Sequence, residues 1–339
     1  MGTGILANAA ATLPVDVPAL LGAARVVWLL DVMLLVVVTA ATARHWARHG
    51  RTARGHLEDP VMSHFYGAPA MGLMTVGAGA LLVGVPLIGE PAAVRLDAVL
   101  WTAGTVLGLW TAVAIPYKAF TTHDTKPCSA FGGWLMPVVP PMVSAATGPL
   151  LLPHLPAGQW QLAMQLACSM MFGLTIVASL VVITLIWSRL MHHKVGAPAA
   201  VPTLWIVLGP LGQSITAAHA LGGTAPDVLP APYGNTFKAM GLVFGAPMWG
   251  FAMLWLALAV AITVRTVRVG MPFSLSWWSF TFPVGTVVTG TSGLAAATGA
   301  DFLGVAAIAL YGGLVLAWFV VATGTARGVR RGHLLKAPA

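Results

Sequence analysis

Residues 160–188 read WQLAMQLACSMMFGLTIVASLVVITLIWS, without one Asp, Glu, Lys or Arg. As a helix rising 1.5 Å per residue the stretch is about 43 Å long, more than the ~30 Å hydrocarbon core of a bilayer. The rest of the chain resembles it. Of 339 residues, 58% are hydrophobic and only 8% are charged, and the mean hydropathy is +0.86. A soluble domain carries roughly 25% charged residues. The solvent for most of this chain is therefore lipid, and the fold class is all-α integral membrane.

Outward from that stretch, nine apolar runs are long enough to cross, near 18–43, 64–89, 95–120, 129–155, 160–188, 201–223, 236–264, 274–299 and 301–326. Residues 1–14 are apolar but too few to span. They are expected to be part of a truncated first helix, with Met1 an internal methionine and the natural chain beginning upstream. The reading is ten transmembrane helices in one domain, 1–339. Short linkers pair neighbours into five helical hairpins.

The net charge of +8 is not a nucleic-acid footprint. Of the 17 lysines and arginines, all but Arg25, Arg95 and Lys238 fall in alternate linkers or the tail. The opposite linkers hold Asp16, Glu90, Asp97, Asp227 and Asp301. By the positive-inside rule the C-terminus is cytoplasmic, in a cell membrane of the bacterial inner or plasma type. Cys128 and Cys168 cannot build a disulfide framework, and His192 and His193 lack further ligands nearby. No phosphate-binding glycine loop, nucleophile elbow or zinc signature is present, so neither an enzyme nor a metal or cofactor is expected.

Counting the partial helix as the first, odd and even helices differ. The third holds Gly67 and Pro69, the fifth Pro137, Pro140 and Pro141, the seventh Gly209 and Pro210, and the ninth Pro283 and Gly285. Each proline falls about two turns in from the cytoplasmic end. Proline removes a donor and kinks a helix, and lipid cannot satisfy the carbonyl so released. The odd helices are therefore expected to form an inner ring, kinked by proline, with the smoother even helices between them and lipid. These four odd helices carry no Asp, Glu, Lys or Arg. They offer Thr75, Ser144, Thr147, Ser214, Thr216, Thr289, Thr291, Ser292 and the amide Gln213 as polar pore contacts. A path without carboxylates that opens on a basic mouth favours anions. His219 is read as a packed, hydrogen-bonded histidine. Asp31, deep in the second helix, needs a partner; a structural pair is expected there, with proton coupling as the alternative.

Five segments together resemble one family: Met1-Gly-Thr-Gly-Ile5, Tyr66-Gly-Ala-Pro-Ala-Met-Gly72, Trp134-Leu-Met-Pro-Val-Val-Pro-Pro141, Gly209-Pro-Leu-Gly-Gln213 and Trp277-Trp-Ser-Phe-Thr-Phe-Pro283. It is the tellurite-resistance/dicarboxylate transporter family, which includes slow-type plant anion channels, fungal malate permeases and sulfite exporters. The resemblance implies ten helices in five hairpins, odd helices around a central pore, and a homotrimer. It also implies that Phe282 plugs the pore. The expected function is transmembrane passage of small inorganic or organic anions: a C4-dicarboxylate such as malate, or sulfite, chloride or nitrate. A proton-coupled dicarboxylate or sulfite carrier is the alternative, and a membrane-embedded enzyme a remote third.

Overall fold

The computed structural model describes residues 1–332, and every regular element among them is helical. The α-helices in chain order are α1 Gly4–Thr12, α2 Pro18–Arg48, α3 Gly50–Glu58, α4 Gly67–Gly79, α5 Val85–Ile88, α6 Glu90–Thr121, α7 Pro140–Thr147, α8 Gln159–His193, α9 Leu208–Val228, α10 Tyr233–Arg268, α11 Phe282–Thr298 and α12 Asp301–Arg330. Among the described residues, seven helical rods are long and apolar enough to cross a membrane. They are α2, α6, α8, α10 and α12, together with Met62–Ile88, which contains α4 and α5, and Pro198–Val228, which contains α9.

Burial divides these rods into two classes. In Met62–Ile88 and Pro198–Val228, 61% and 72% of the most apolar stretch is buried; in the other five the figure runs from 11% to 28%. Exposed Val36, Val99, Val113, Met170, Val243 and Leu316 lie on those five. Side chains of this kind on the outside of the molecule fit hydrocarbon rather than water. The shorter elements α1, α7 and α11 are mostly buried.

Packing links one long helix to each buried element: α2 to α1, α6 to α4, α8 to α7, α10 to α9 and α12 to α11. The buried elements also touch one another in a closed order, α1 to α4, α4 to α7, α7 to α9, α9 to α11, and α11 back to α1. Glycine permits the closest of these approaches. A Cβ on Gly212 of α9 would collide with the Val287 backbone nitrogen of α11, and one on Gly67 with the Met136 carbonyl.

The prolines act differently from the expected kinks. Each buried rod begins as a 3₁₀ segment: Met62–Tyr66, Gly132–Leu135, Pro198–Val207 and Leu275–Phe280. The α-helix follows, with Pro69, Pro140 and Pro141, Pro210 or Pro283 in its first turn. The first turn has no use for the missing N–H, so proline starts the helix instead of bending it. The run near 129–155 is consequently not one helix. Only α7 within it is α-helical, flanked by the 3₁₀ turns Gly132–Leu135, Gly148–Leu150 and Leu152–His154.

Carbonyls in these irregular rods take donors from the long helices. The Trp28 indole donates to the Val76 carbonyl (3.0 Å), Trp101 to Ser144 (3.0 Å) and Trp255 to Leu204 (2.9 Å). Thr175 donates to the Val138 carbonyl (2.8 Å) and the Gln165 amide to Leu221 (3.0 Å). A second departure concerns Asp97, expected in a linker. Helix α6 starts at Glu90, which brings Asp97 inside it, fully buried against Gly77 of α4.

The tight α9–α11 contact makes a stability prediction. Gly212→Ala should cost about 1–3 kcal/mol, the usual range for overpacking, and lower the melting temperature in detergent. Gly173→Ala, at a position with nothing within 4 Å of the added Cβ, should leave it unchanged.

Candidate functional site

Inside the ring of buried elements lies a cavity of about 330 Å³. All five elements line it. Helix α1 contributes Ile5, Asn8 and Thr12, and the α4 rod Ala78 and Leu82. From α7 and the turn after it come Ala146, Thr147 and Leu150; from α9, Gln213, Thr216, His219 and Ala220; from α11, Thr289, Ser292, Gly293 and Ala296. No Asp, Glu, Lys or Arg stands on this wall among the described residues. Its polar groups are hydroxyls, two amides and one imidazole.

Their hydrogen bonding separates fixed from unpaired groups. The Thr216 and Thr289 hydroxyls meet at 2.8 Å, bridging α9 and α11 across the wall. Asn8 donates its Nδ2 to the Thr75 carbonyl at 3.1 Å. Gln213 is 4% exposed, and its Oε1 finds no partner in the protein. A buried amide oxygen without a donor is unusual, and it stands beside a cavity wide enough to bring one.

Among the residues that the sequence marks as polar pore contacts, Thr147, Gln213, Thr216, Thr289 and Ser292 are on the wall. Thr75, Ser144 and Ser214 are not. Thr75 donates to the Met71 carbonyl at 2.6 Å and Ser214 to Leu211 at 2.8 Å. Ser144 accepts from Thr105 of α6 and lies 3.3 Å from the Pro140 carbonyl. The wall hydroxyls Thr147, Thr216 and Thr289 bond the preceding turn as well, so the helix face, which residue type alone does not reveal, decides which of them meet the cavity. Asn8, Thr12 and His219 are additional. An amide and a hydroxyl four residues apart in the apolar opening stretch were the available signal for the first two.

Phe282 opens α11 and is 3% exposed. It packs in the same apolar cluster as Ile5, Val139, Leu208 and Leu211. Two turns, or about 10 Å, separate it from Thr289, where the cavity begins. At this lower level Thr286 lies within 3.3 Å of the Gly209 carbonyl. Gly209 is buried, yet nothing stands within 4 Å of the place where its side chain would start. Gly285 abuts Ile5 of α1.

Pro137, Pro210 and Pro283 are buried. Pro140 packs its ring on Gly108 of α6, away from the ring interior, and Pro69 is exposed. Asp31 is buried on α2, with its carboxylate against Gly4 of α1. A Cβ on Gly4 would collide with its carboxylate. Asp31 therefore holds the start of α1 and does not reach the cavity.

A chain with this architecture matches the family described as SLAC1, voltage-dependent anion channel, over residues 1–326. It belongs to that family. A sulfite efflux pump of Arthroderma otae is 30% identical over 298 residues, covering 86% of this chain and 78% of the pump. The same kind of pump from Trichophyton rubrum aligns equally, at 30% over 298 residues with the same coverage of both chains. An uncharacterised transporter of Methanocaldococcus jannaschii is 25% identical over 337 residues, 99% of this chain and 94% of that one. The chain is thus a multi-pass membrane protein of an anion-transporting family.

The wall assignment is testable by cysteine accessibility in a Cys128→Ser background. Thr147→Cys should react with a small anionic thiol reagent in proteoliposomes. Thr75→Cys, sealed within α4, should stay unreactive.

Proposed function

We propose that the chain passes small anions through a conduit along the axis of its buried elements, and that Phe282 closes this conduit below the cavity. The observation that carries the reading is the cavity wall: five elements meet around a space lined by hydroxyls and amides without a carboxylate. Membership of an anion-channel family supports the same substrate class.

In this reading the protein has ten spans in five hairpins. The buried elements, α1 among them, form the inner ring, and the five long exposed helices the outer one. The basic linkers after α2, α6, α8, α10 and α12 mark the cytoplasmic side, together with the C-terminus. Phe282 and the proline-started helix ends lie toward that side, and the cavity lies toward the other. The assembly is a homotrimer in a cell membrane, each protomer with its own conduit.

Sulfite is the substrate that the named relatives favour over malate. The wall agrees, since it carries no pair of fixed cations to hold two carboxylates at once. An anion entering from the basic side would be concentrated there electrostatically. It would then shed part of its water against hydroxyls, the amide and backbone.

The gate assignment makes a paired prediction. Phe282→Ala should raise anion conductance in planar bilayers at equal protein density. Adding Gly209→Leu, which fills the open space at the same level, should suppress that gain. Equal conductance in Phe282→Ala and the parent would sink the assignment. For the substrate, parallel liposome fluxes of sulfite, nitrate, chloride and malate should rank malate last.

A further inference from the structure

His219 is the one titratable side chain on the cavity wall among the described residues. Its imidazole lies over Gly293 of α11, where an added Cβ would stand 3.0 Å from ring carbons, so the glycine makes room for the ring. Its backbone is wedged against α10, with the His219 Cα 3.4 Å from the place of a Cβ on Gly241. Hydrogen bonds in this stretch run through Thr216 and Thr224, and none of them uses the His219 ring. The sequence led us to expect a histidine satisfied by its neighbours, and the structure instead leaves the ring to the cavity.

One charge stands on a packed element a turn away: Lys238 of α10, whose Cα lies against Gly222. Helix α9 packs against α7, α8, α10, α11 and the segments Gly148–Leu150 and Pro198–Val207. Helices α7 and α11 and both of those segments carry no titratable side chain. Helix α8 offers Cys168 on the far side of Gly148, with Arg189, His192 and His193 at its distant end. Helix α10 offers Tyr233 and Lys238, both exposed, and Arg265 and Arg268 at its distant end. Asp227 of α9 is exposed, and the buried carboxylates Asp31 and Asp97 sit behind Gly4 and Gly77.

We infer that the cavity is an anion-binding station whose charge is supplied by His219. In its protonated form the ring donates an N–H to a small oxyanion held beside Gln213, Thr147 and the Thr216–Thr289 pair. In its neutral form the station keeps only dipoles. Proton and anion then strengthen each other's binding by the same factor, as linkage requires. This deepens the transport reading and rests on it for its physiological meaning, but the binding event itself is separable.

Nitrate is the probe, because it does not change its own charge between about pH 5.5 and 8, the range in which histidine does. In proteoliposomes the wild-type nitrate flux should rise severalfold as pH falls across that range. In His219→Gln it should be low and flat, with the protein still eluting as a single species. The second measurement needs no transport: the His219 ring signal, assigned by its loss in His219→Gln, is titrated by NMR with and without saturating nitrate. Its midpoint should move upward with nitrate. An unmoved midpoint, or a His219→Gln flux that keeps the wild-type pH profile, overturns the proposal. A moved midpoint with no wild-type flux keeps the station and overturns the transport reading instead.

Discussion

A carbonyl released inside a bilayer has no water to turn to, and each one left bare costs several kcal/mol. The buried elements of this protein are irregular, because 3₁₀ segments and a π turn at Ala80–Gly84 interrupt their ladders. The donors come from the outer helices. Trp28, Trp101, Thr175, Gln165 and Trp255 each reach inward to a carbonyl of the element they pack on. Those bonds tie the outer helices to the irregular backbone that surrounds the cavity. The long helices are thus more than a lipid-facing coat, since they add hydrogen bonds to the interior.

The interior itself is plain. The wall presents hydroxyls, amides and one imidazole to the space at its centre. Glycines then set the widths. Gly212 lets α9 and α11 close, Gly293 gives the His219 ring its place, and Gly209 leaves room at the level of Phe282. Steric permission, more than charge, shapes the interior.

Much of this was legible in the residues. Charge-free runs declared the solvent, and the concentration of proline and glycine in alternate runs separated buried elements from exposed ones. Other features were hidden for definite physical reasons. A proline in an apolar run reads as a kink unless one knows where the α-helix begins, and here the preceding 3₁₀ segments place Pro69, Pro140, Pro210 and Pro283 in first turns. Thr75 and Ser214 look like Thr147 and Thr289 in sequence, and all four bond the preceding turn; they differ in which helix face meets the cavity. Asp97 beside Arg95 looked like a boundary, whereas burial against Gly77 put it inside. The place of the His219 ring depends on a neighbour 74 positions away, Gly293, which no local pattern announces.

Because α7, α11 and most of α9 are screened from hydrocarbon, their residues are released from the hydropathy that membrane insertion demands of α2 or α8. Substitutions at Thr147, Gln213 or Ser292 can therefore change the wall of the chamber without disturbing how the protein enters the membrane. One scaffold can thus carry many different inner surfaces, while its outer surface goes on answering to fat.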